Sequence, residues 1–389
     1  MKIMPASAAV FIFSIVAFSP SSFTEPYTRT AATKIQAAKD PKIQVAVLLD
    51  VSGSMSGLIE QAKAQLWNML SVMGRAKCEN GIPKIEIALY VYGQGDKGIK
   101  NDYIKQVTPF SSDLDQLSQE LFKLSTSGSE EYCGKVIYTS LDELSWDANS
   151  SNYKVVFIAG NESFLQGDIN YTQACGEAKK KGVIVNTIYC GDRMEGIKLH
   201  WNLNGECGNG SYTNIDHNAK GQDIATPYDS TLVVLNNKLN TTYLYYGAQG
   251  EEFYSRQYKM DRSNANISKE VAAKRTAVKG KKELYNNASW DIVDAYAADS
   301  TRFMKSVDKK TLPDSLKNKR DDELQQIVKE KSAERGAVQK EILQVSSQRE
   351  AYIAAERAKA AKNNTAATLE TEVERIIKEQ VKRFNMYIE

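Results

Sequence analysis

The chain has 389 residues, of which 42% are hydrophobic and 25% are charged. This length exceeds one ordinary domain and predicts two structural regions, with enough apolar residues for a packed core. The 50 Lys and Arg residues nearly balance the 48 Asp and Glu residues, so the chain lacks the basic excess with which nucleic-acid-binding proteins neutralise phosphates. We therefore expect no nucleic-acid partner.

The N-terminal segment predicts export. Lys2 precedes an apolar run from Ala8 to Phe18, and small or turn-forming residues follow at 19–22. This order is typical of a secretory signal peptide, which we place at residues 1–24, before a polar linker at 25–41. The run is too short to span a bilayer, and no later apolar stretch is long enough. We expect a periplasmic or secreted product without an integral membrane span after signal removal. An uncleaved anchor is the alternative, since no Ala-x-Ala site is evident.

The most informative motif closes an apolar run. Residues 45–49 predict a buried strand, and Asp50, Ser52 and Ser54 follow it at alternate positions, with Gly53 allowing the backbone to turn. Three oxygen-bearing side chains can then converge on one point at the end of the strand. Oxygen-only ligation favours Mg²⁺, or Mn²⁺ or Ca²⁺, over Zn²⁺ and Cu²⁺. The alternative from these residues alone is a Ser-capped helix after a strand.

Strand-like and helix-like runs alternate from this motif to residue 240. Strands are predicted near 43–49, 84–92, 102–108, 153–159, 183–190 and 211–216, and helices near 55–74, 112–124, 134–147, 170–181 and 228–240. This alternation predicts an α/β fold with a doubly wound, mostly parallel six-stranded sheet. The connection between Tyr92 and Tyr103 is too short for a crossover helix, so we expect one antiparallel edge strand in that sheet.

The same connection contains a motif that could be mistaken for a nucleotide-binding loop. Gly93, Gly95 and Gly98 satisfy the G-x-G-x-x-G pattern of dinucleotide-binding loops. Such a loop must open a helix whose N-terminus meets the pyrophosphate, whereas this one leads into the next predicted strand. We therefore expect no nucleotide site here.

The chain becomes charged and Ala-rich near residue 250, which predicts a helical C-terminal region at 248–389 after an α/β domain at 42–247. A stripe at alternating spacings of three and four is formed by Leu324, Val328, Val338, Ile342, Val345 and Tyr352, with Lys331, Arg335 and Arg349 at intervening stripe positions. Either a helical hairpin docked on the sheet or a coiled coil between protomers, and hence a homo-oligomer, fits this pattern. A break at Asn363–Thr365 is expected before a last helix near 368–384, whose apolar face carries Leu369, Val373, Ile376, Ile377 and Val381.

The Asp50-Val51-Ser52-Gly53-Ser54 segment resembles the Asp-x-Ser-x-Ser signature of the von Willebrand factor type A (vWA) family, in bacterial exported form with a helical C-terminal region. The resemblance covers about residues 40–247. It implies a metal-ion-dependent adhesion site (MIDAS) at the topological switch point of the sheet, with Asp50, Ser52 and Ser54 as metal ligands.

Two departures from the family pattern concern the remaining ligands. The family's second loop supplies a Thr, and anchoring on Gly134 puts Glu131 near that position. The fourth strand of the family ends in Thr-Asp-Gly, whereas this chain has Gly160-Asn161-Glu162. We expect Glu131 to restore the missing negative charge, because the affinity for a divalent ion depends on ligand charge, with Asn161 or Glu162 contributing through water. The alternative is a degenerate site on a structural fold.

The resemblance implies a binding module rather than an enzyme. In the family, the bound cation keeps one open coordination position for an Asp or Glu carboxylate of a protein partner. The loops that carry Ser56, Tyr132, Phe164 and Arg193 are candidates for the surrounding surface. Neither a G-x-S-x-G elbow nor an H-E-x-x-H helix motif is present in the sequence. Two alternatives stay open: a partner subunit of an enzyme, and a non-catalytic scaffold subunit of an envelope complex with a degenerate metal site.

The five cysteines are Cys78, Cys133, Cys175, Cys190 and Cys207. Their odd number leaves at least one without an intramolecular partner, and both one or two disulfides and buried free thiols fit the sequence. His200 and His217 have no Cys or His partner at zinc-binding spacing, so we expect a surface or helix-end position for each.

Overall fold

The computed structural model describes residues 40–79, 81–95, 103–128, 130–216, 223–360 and 369–388. The predicted signal peptide, nearly all of the linker, the predicted break at Asn363–Thr365 and His217 lie outside these residues, as does most of the second half of the G-x-G-x-x-G segment.

The described strands and helices follow the predicted alternation. The strands are β1 (Lys42–Asp50), β2 (Ala76–Lys77), β3 (Lys84–Tyr92), β4 (Ile104–Ser111), β5 (Tyr153–Gly160), β6 (Ile184–Cys190), β7 (Asn209–Ile215) and β8 (Tyr387–Ile388). The helices that flank the sheet strands in sequence are α1 (Ser56–Met73), α2 (Leu114–Lys123), α3 (Cys133–Glu143), α4 (Tyr171–Lys181), α5 (Arg193–Lys198), α6 (Trp201–Cys207) and α7 (Asp229–Asn240). The C-terminal region adds α8 (Gly250–Ile267), α9 (Lys269–Lys279), α10 (Ile292–Ala298), α11 (Ser300–Ser306), α12 (Asp314–Lys317), α13 (Asp321–Ala360) and α14 (Leu369–Gln380).

The central sheet confirms the predicted fold class. Its six strands lie in the order β4-β3-β1-β5-β6-β7. β1 pairs in parallel with β3 on one side and with β5 on the other, and only β4 runs antiparallel, at the edge beside β3. The chain therefore changes direction across the sheet at β1, so the carboxyl end of β1 lies at the topological switch point where α/β sheets bind ligands.

β1 is central because its residues are apolar on both faces. Val45 and Leu49 belong to the core beneath α1, whereas Ala46 and Leu48 belong to the core beneath α3 and α4. Successive side chains of a strand point to opposite faces, so a continuous apolar run fits a strand that is covered on both sides. This double burial fixes the position of the residue that follows the run, Asp50.

The C-terminal helices pack on the first of these two cores. α14 contributes Val373, Ile376 and Ile377 to it, and α13 contributes Ile342. The last helix, predicted near 368–384, is α14 followed by a short 3₁₀ turn at Val381–Phe384. The apolar stripe of α13 is mostly buried inside the same chain, with Tyr352 37% exposed at its end. The core is therefore completed by residues far along the sequence.

Buried polar contacts also hold the C-terminal helices in place. The Trp67 indole N–H on α1 donates to Asn264 Oδ1 on α8 at 2.6 Å, and Arg275 on α9 pairs with Asp115 on α2 at 2.7 Å. Arg335, which interrupts the α13 stripe, donates to Asp291 at 2.6 Å. A buried polar or charged group that loses its partner is costly, so each pair fixes the register between the two segments that it joins.

Among the described residues, no helix is both long and apolar enough to cross a membrane.

Candidate metal centre

Three loops meet at the carboxyl end of β1. The backbone N–H of Val51 donates to Tyr92 O at 2.9 Å, which joins the loop after β1 to the end of β3. The N–H of Ser127 donates to Val51 O at 2.9 Å, which brings in the segment before α3. Because parallel strands end at the same edge of the sheet, the loop after β5 also lies here. The predicted ligands from all three segments are therefore neighbours.

Asp50 forms the floor of the site. Its side chain is 0% exposed, and Oδ1 accepts a hydrogen bond from Ser52 N–H at 2.7 Å. Within the described part of the chain, Oδ2 accepts no well-formed hydrogen bond, although the Asn161 backbone N–H lies close enough to favour the charged form. Burial is the largest influence and raises the pKa of Asp50 to about 6. The side chain thus presents one oxygen in need of a partner.

The two serines belong to the loop that directly follows this carboxylate. Ser52 Oγ and Ser54 Oγ are 3.3 Å apart, and a 3₁₀ turn at Gly53–Met55 carries Ser54 before α1 begins. Asn161 Nδ2, from the loop after β5, donates to Ser54 Oγ at 3.3 Å, while Asn161 Oδ1 is buried without a hydrogen-bond partner among the described residues. The structure therefore brings Asp50, Ser52, Ser54 and Asn161 together.

Glu131 approaches Asp50 from the second loop. Gly93 separates them: a Cβ on Gly93 would lie 3.0 Å from Asp50 Oδ1 and 3.0 Å from Glu131 Cγ. Burial, and then the negative charges of Asp50 and Glu162, raises the pKa of Glu131 to about 7. Burial and the nearby negative charge disfavour the ionised form of these carboxyl groups. A cation bound between them would stabilise the ionised form of both.

Glu162 is placed differently from the other five candidates. Its Oε2 accepts from Gln166 Nε2 at 3.3 Å, and its backbone carbonyl accepts from the Trp201 indole at 2.7 Å. Gln166 Oε1 in turn accepts from Glu131 N–H at 3.3 Å, so this glutamine joins the loop after β5 to the loop before α3. Glu162 therefore acts on the site through its negative charge, which helps to raise the pKa of both Asp50 and Glu131.

Two glycines that no metal-site motif marks lie against Asp50. Gly93 adopts φ +77°, a conformation that favours glycine, and it leaves the gap between Asp50 and Glu131 open. A Cβ on Gly160 would lie 2.3 Å from the Tyr92 hydroxyl and 3.1 Å from Asp50 Oδ2. The sequence marks them by position alone. Gly93 directly follows β3 and Gly160 ends β5, and both of these strands pair with β1.

The donor set fits a hard divalent cation. It combines a buried carboxylate oxygen without a partner, two serine hydroxyls, an amide oxygen without a partner and a second carboxylate. Such cations prefer oxygen ligands. The residues that the structure describes contain no group of three or more His, Cys, Asp and Glu side chains placed to hold a metal. A metal centre at Asp50 would therefore depend on serine and amide oxygens as well as on carboxylates.

The loop that carries Phe164 reaches the surface through a neighbouring residue. Phe164 itself is 0% exposed and packs edge-to-face on Trp201 with ring centres 4.8 Å apart. The next residue, Leu165, is 58% exposed instead. The Arg193 guanidinium lies 5.0 Å from the ring centre of Tyr212. The packing of Phe164 on Trp201 was not predicted, because Trp201 belongs to α6, a short helix that sequence periodicity does not reveal.

One disulfide links two helices of the α/β region. Cys175 on α4 and Cys207 on α6 are bonded, with their Cα atoms 5.6 Å apart. Cys133 and Cys190 are buried free thiols, and Cys78 is a partly exposed one. Both outcomes left open by the cysteine count therefore occur in the same chain.

Neither a protein-family model nor a curated protein matches the sequence. Solved structures with similar folds include the vWA domain of SpRpn10, with 12% identity over 48% of this chain and 100% of that chain and a TM-score of 0.36. Proximal thread matrix protein 1 from the mussel byssus has 14% identity over 46% of this chain and 43% of that chain, with a TM-score of 0.32. The pilus adhesin SpaC from Lactobacillus rhamnosus GG has 15% identity over 46% of this chain and 28% of that chain, with a TM-score of 0.33. The chain spans less than half the length of the byssus protein and of the adhesin.

Proposed function

We propose that this chain is an exported, non-catalytic protein-binding module of the vWA type, with a MIDAS-like centre at the carboxyl end of β1. In this proposal Asp50, Ser52 and Ser54 hold Mg²⁺, or Mn²⁺ or Ca²⁺. The observation that carries the proposal is the buried Asp50 carboxylate, whose Oδ2 accepts no well-formed hydrogen bond from the described residues and which lies beside two serine hydroxyls. A buried carboxylate oxygen without a well-formed hydrogen bond is expensive to maintain unless a ligand compensates it.

Glu131 supplies the second negative charge of the proposed centre. It stands near the position of a family threonine, and its pKa is raised by the same burial and by the charge of Asp50. Both carboxylates become ionised together more easily beside a cation. Asn161 contributes its free amide oxygen, and Glu162 acts through water or through its charge. When bound, the cation supplies an open coordination position that a partner's Asp or Glu carboxylate fills.

The surrounding surface determines which acidic partner is accepted. One carboxylate contact contributes only a few kcal/mol, so most of the affinity must come from neighbouring contacts. Leu165 and Met194 are 58% and 60% exposed and follow β5 and β6, whose carboxyl ends share an edge with Asp50. They give the partner apolar contacts beside its carboxylate. The proposed location is the periplasm or the exterior, from the signal peptide predicted at residues 1–24.

A scaffold with a degenerate metal site is the second candidate, and one observation favours it. Asn161 donates its amide N–H to Ser54, and the Glu162 carboxylate is engaged by Gln166. The loop after β5 therefore presents no free carboxylate to the site. In that case the chain would hold its partners through surface contacts alone.

Calorimetric titration with Mg²⁺ and Mn²⁺ separates the two candidates. We expect saturable binding to the full chain, loss of binding in Asp50→Ala, and affinity lowered about tenfold in Glu131→Gln, because cation affinity depends on ligand charge. Glu130→Gln is the matched control: Glu130 is exposed, so we expect a change within about twofold. Absence of binding to the unchanged chain, or equal binding to Asp50→Ala, would refute the metal centre.

Affinity capture from the source envelope tests the partner. We expect a set of proteins that is retained by the unchanged chain and lost both with chelator and with Asp50→Ala. Retention of the same proteins under all three conditions would support the scaffold candidate. Wild-type metal affinity in Glu131→Gln would remove Glu131 from the centre without touching the role of Asp50.

A further inference from the structure

A large cleft lies at the opposite edge of the sheet from Asp50. α1 begins beside the Asp50 loop and runs back toward the start of β3, so Gly74 and Arg75 lie near the amino ends of the parallel strands. These two residues line a cleft of about 1060 Å³, which is bounded further by α10, by α13 and by the segment after α9. Over the 18 residues of α1, the two edges are about 27 Å apart. The cleft is therefore separate from the candidate metal centre.

The lining of the cleft carries more positive than negative charge: six of its residues are Lys or Arg, and two, Glu283 and Asp294, are acidic. Lys281 and Lys340 line it, and neither has an ion-pair partner among the residues described. Among the described residues, the Lys281 ammonium donates one long hydrogen bond, to Ser71 O at 3.4 Å. Burial, partly offset by the negative charge of Glu350, lowers the pKa of Lys281 to about 8. By contrast, Arg75 and Arg335 at the cleft wall are paired with carboxylates. An incoming anion would meet two available cations.

Between these charged groups, part of the cleft wall is apolar. α10 contributes Val293 and Ala297, and α13 contributes Gly336 and Leu343. Leu343 is 44% exposed although it lines the cleft. A Cβ built on Gly336 meets no atom within 4 Å, so the helix surface is open there. The cleft-lining residues of α13 extend over about 16 Å, enough for about five residues of an extended chain.

We propose that this cleft is a docking groove for an acidic segment of a protein partner that also carries a large apolar side chain. Carboxylates of the segment would pair with Lys281 and Lys340, where partial burial strengthens the attraction relative to open water. The apolar side chain would cover Leu343 and the open surface at Gly336, since exposed apolar patches of this kind mark interaction sites. The groove requires no metal, so it is independent of the proposed function.

Selection from a random dodecapeptide library on the immobilised full chain, followed by fluorescence anisotropy of the selected peptides, tests the proposal. We expect enriched peptides to combine Asp or Glu with Leu, Phe, Trp or Ile. Gly336→Trp places an indole in the groove and should weaken their binding about tenfold or more, because it occupies the space of the apolar anchor. Gly336→Ala, which adds one methyl group in open space, should change it by no more than about twofold.

Variants that remove charge from the groove test the same proposal, and they do so even if Gly336→Trp folds poorly. Lys281→Met combined with Lys340→Met should weaken binding about fivefold and flatten its salt dependence. Lys179→Met, at an exposed lysine on α4, is the matched control and should leave both unchanged. Enrichment of neutral or basic peptides would overturn the proposal, as would binding that survives both the tryptophan and the lysine variants.

Two further outcomes also overturn it. Peptide binding that is lost with chelator and in Asp50→Ala would assign the peptides to the metal centre instead. A change from dimer to monomer in Gly336→Trp, seen by sedimentation, would show that a second copy of the chain occupies the groove. Peptide binding that is unaffected by chelator but lost in Gly336→Trp supports the groove whether or not the metal centre exists.

Discussion

Asp50→Asn tests whether the candidate centre contains an uncompensated charge. The substitution keeps the size of the side chain, and the asparagine oxygen can still accept the hydrogen bond from Ser52 N–H, which is 2.7 Å long in the native chain. It removes the negative charge from a side chain that is 0% exposed. In the metal-free protein this charge opposes folding, so its removal should change how stability depends on pH.

The sign follows from the direction of the pKa change. Burial raises the pKa of Asp50 from its ordinary value of 3.8 to about 6. The folded chain therefore retains a proton at pH values where the unfolded chain has released it. Stability falls as the pH rises through this interval, and the loss is complete above the folded pKa. At about 1.4 kcal/mol per pKa unit, the loss amounts to about 3 kcal/mol. Asp50→Asn should lack it.

Urea denaturation in chelator, from about pH 3 to about pH 8, measures this difference. The free energy of unfolding of the native chain should fall by about 3 kcal/mol relative to that of Asp50→Asn across the range. Glu131, whose pKa is raised to about 7, adds a loss of the same sign at slightly higher pH. Addition of Mg²⁺ at a hundredfold excess over Kd should raise the free energy of unfolding of the native chain by about 2.7 kcal/mol. The free energy of unfolding of Asp50→Asn should not change.

Parallel pH profiles for the two proteins in chelator would refute the reasoning. Such a result would mean that the Asp50 carboxylate is compensated inside the chain, and the main observation behind the metal centre would be lost. Divergent profiles without any effect of Mg²⁺ would keep the buried charge but support the degenerate site.

The remaining predictions concern stability. Arg335→Met should cost about 3 to 5 kcal/mol in urea denaturation, because it leaves Asp291 buried without its cation, and Asp291→Asn in the same chain should recover part of the loss. Replacing both Cys175 and Cys207 with serine should lower the free energy of unfolding by about 3 to 4 kcal/mol. With its disulfide intact, the denatured native chain should titrate three thiols, at Cys78, Cys133 and Cys190. Gly280→Ala should cost about 1 to 3 kcal/mol, because its Cβ would lie 2.5 Å from Ile342 Cγ2. Gly336→Ala should stabilise α13 by about 1 kcal/mol in the same assay, because the Cβ of this alanine would enter open space. Equal effects of Gly280→Ala and Gly336→Ala would contradict the packing argument.

The sheet was predictable because its signals are local and strong. The apolar run of β1 and the short connection after β3 were sufficient to predict a parallel sheet with one antiparallel strand. Strand ends were less certain: the strand predicted near 102–108 is Ile104–Ser111, since its pairing with β3 sets the ends. The short helices α5 and α6 were missed because six or seven residues do not establish a helical period. The pairing of β2 with β8 joins residues too distant in sequence for any local signal.

The candidate site was predictable only where its residues are adjacent in sequence. Asp50, Ser52 and Ser54 lie within five residues, and the spacing itself indicates convergence. Gly93 and Gln166 acquire their roles from neighbours on other loops, which no local pattern contains. The same holds for Arg335, which looked like an interruption of an apolar stripe. It is buried against Asp291, 44 residues earlier in the chain.

The two proposed surfaces accept acidic groups by different physical means, and α1 holds them apart. One relies on a cation held by Asp50 and accepts a single carboxylate, so chelation should abolish it. The other relies on Lys281 and Lys340 and an apolar wall, so salt should weaken it and chelation should not. α1 is packed along its length between the sheet and the C-terminal helices, with Trp67 and Leu70 0% exposed. A rigid spacer of about 27 Å allows both surfaces to be occupied at once. If both proposals hold, the chain can join two acidic partners, or grip one partner at two separated points.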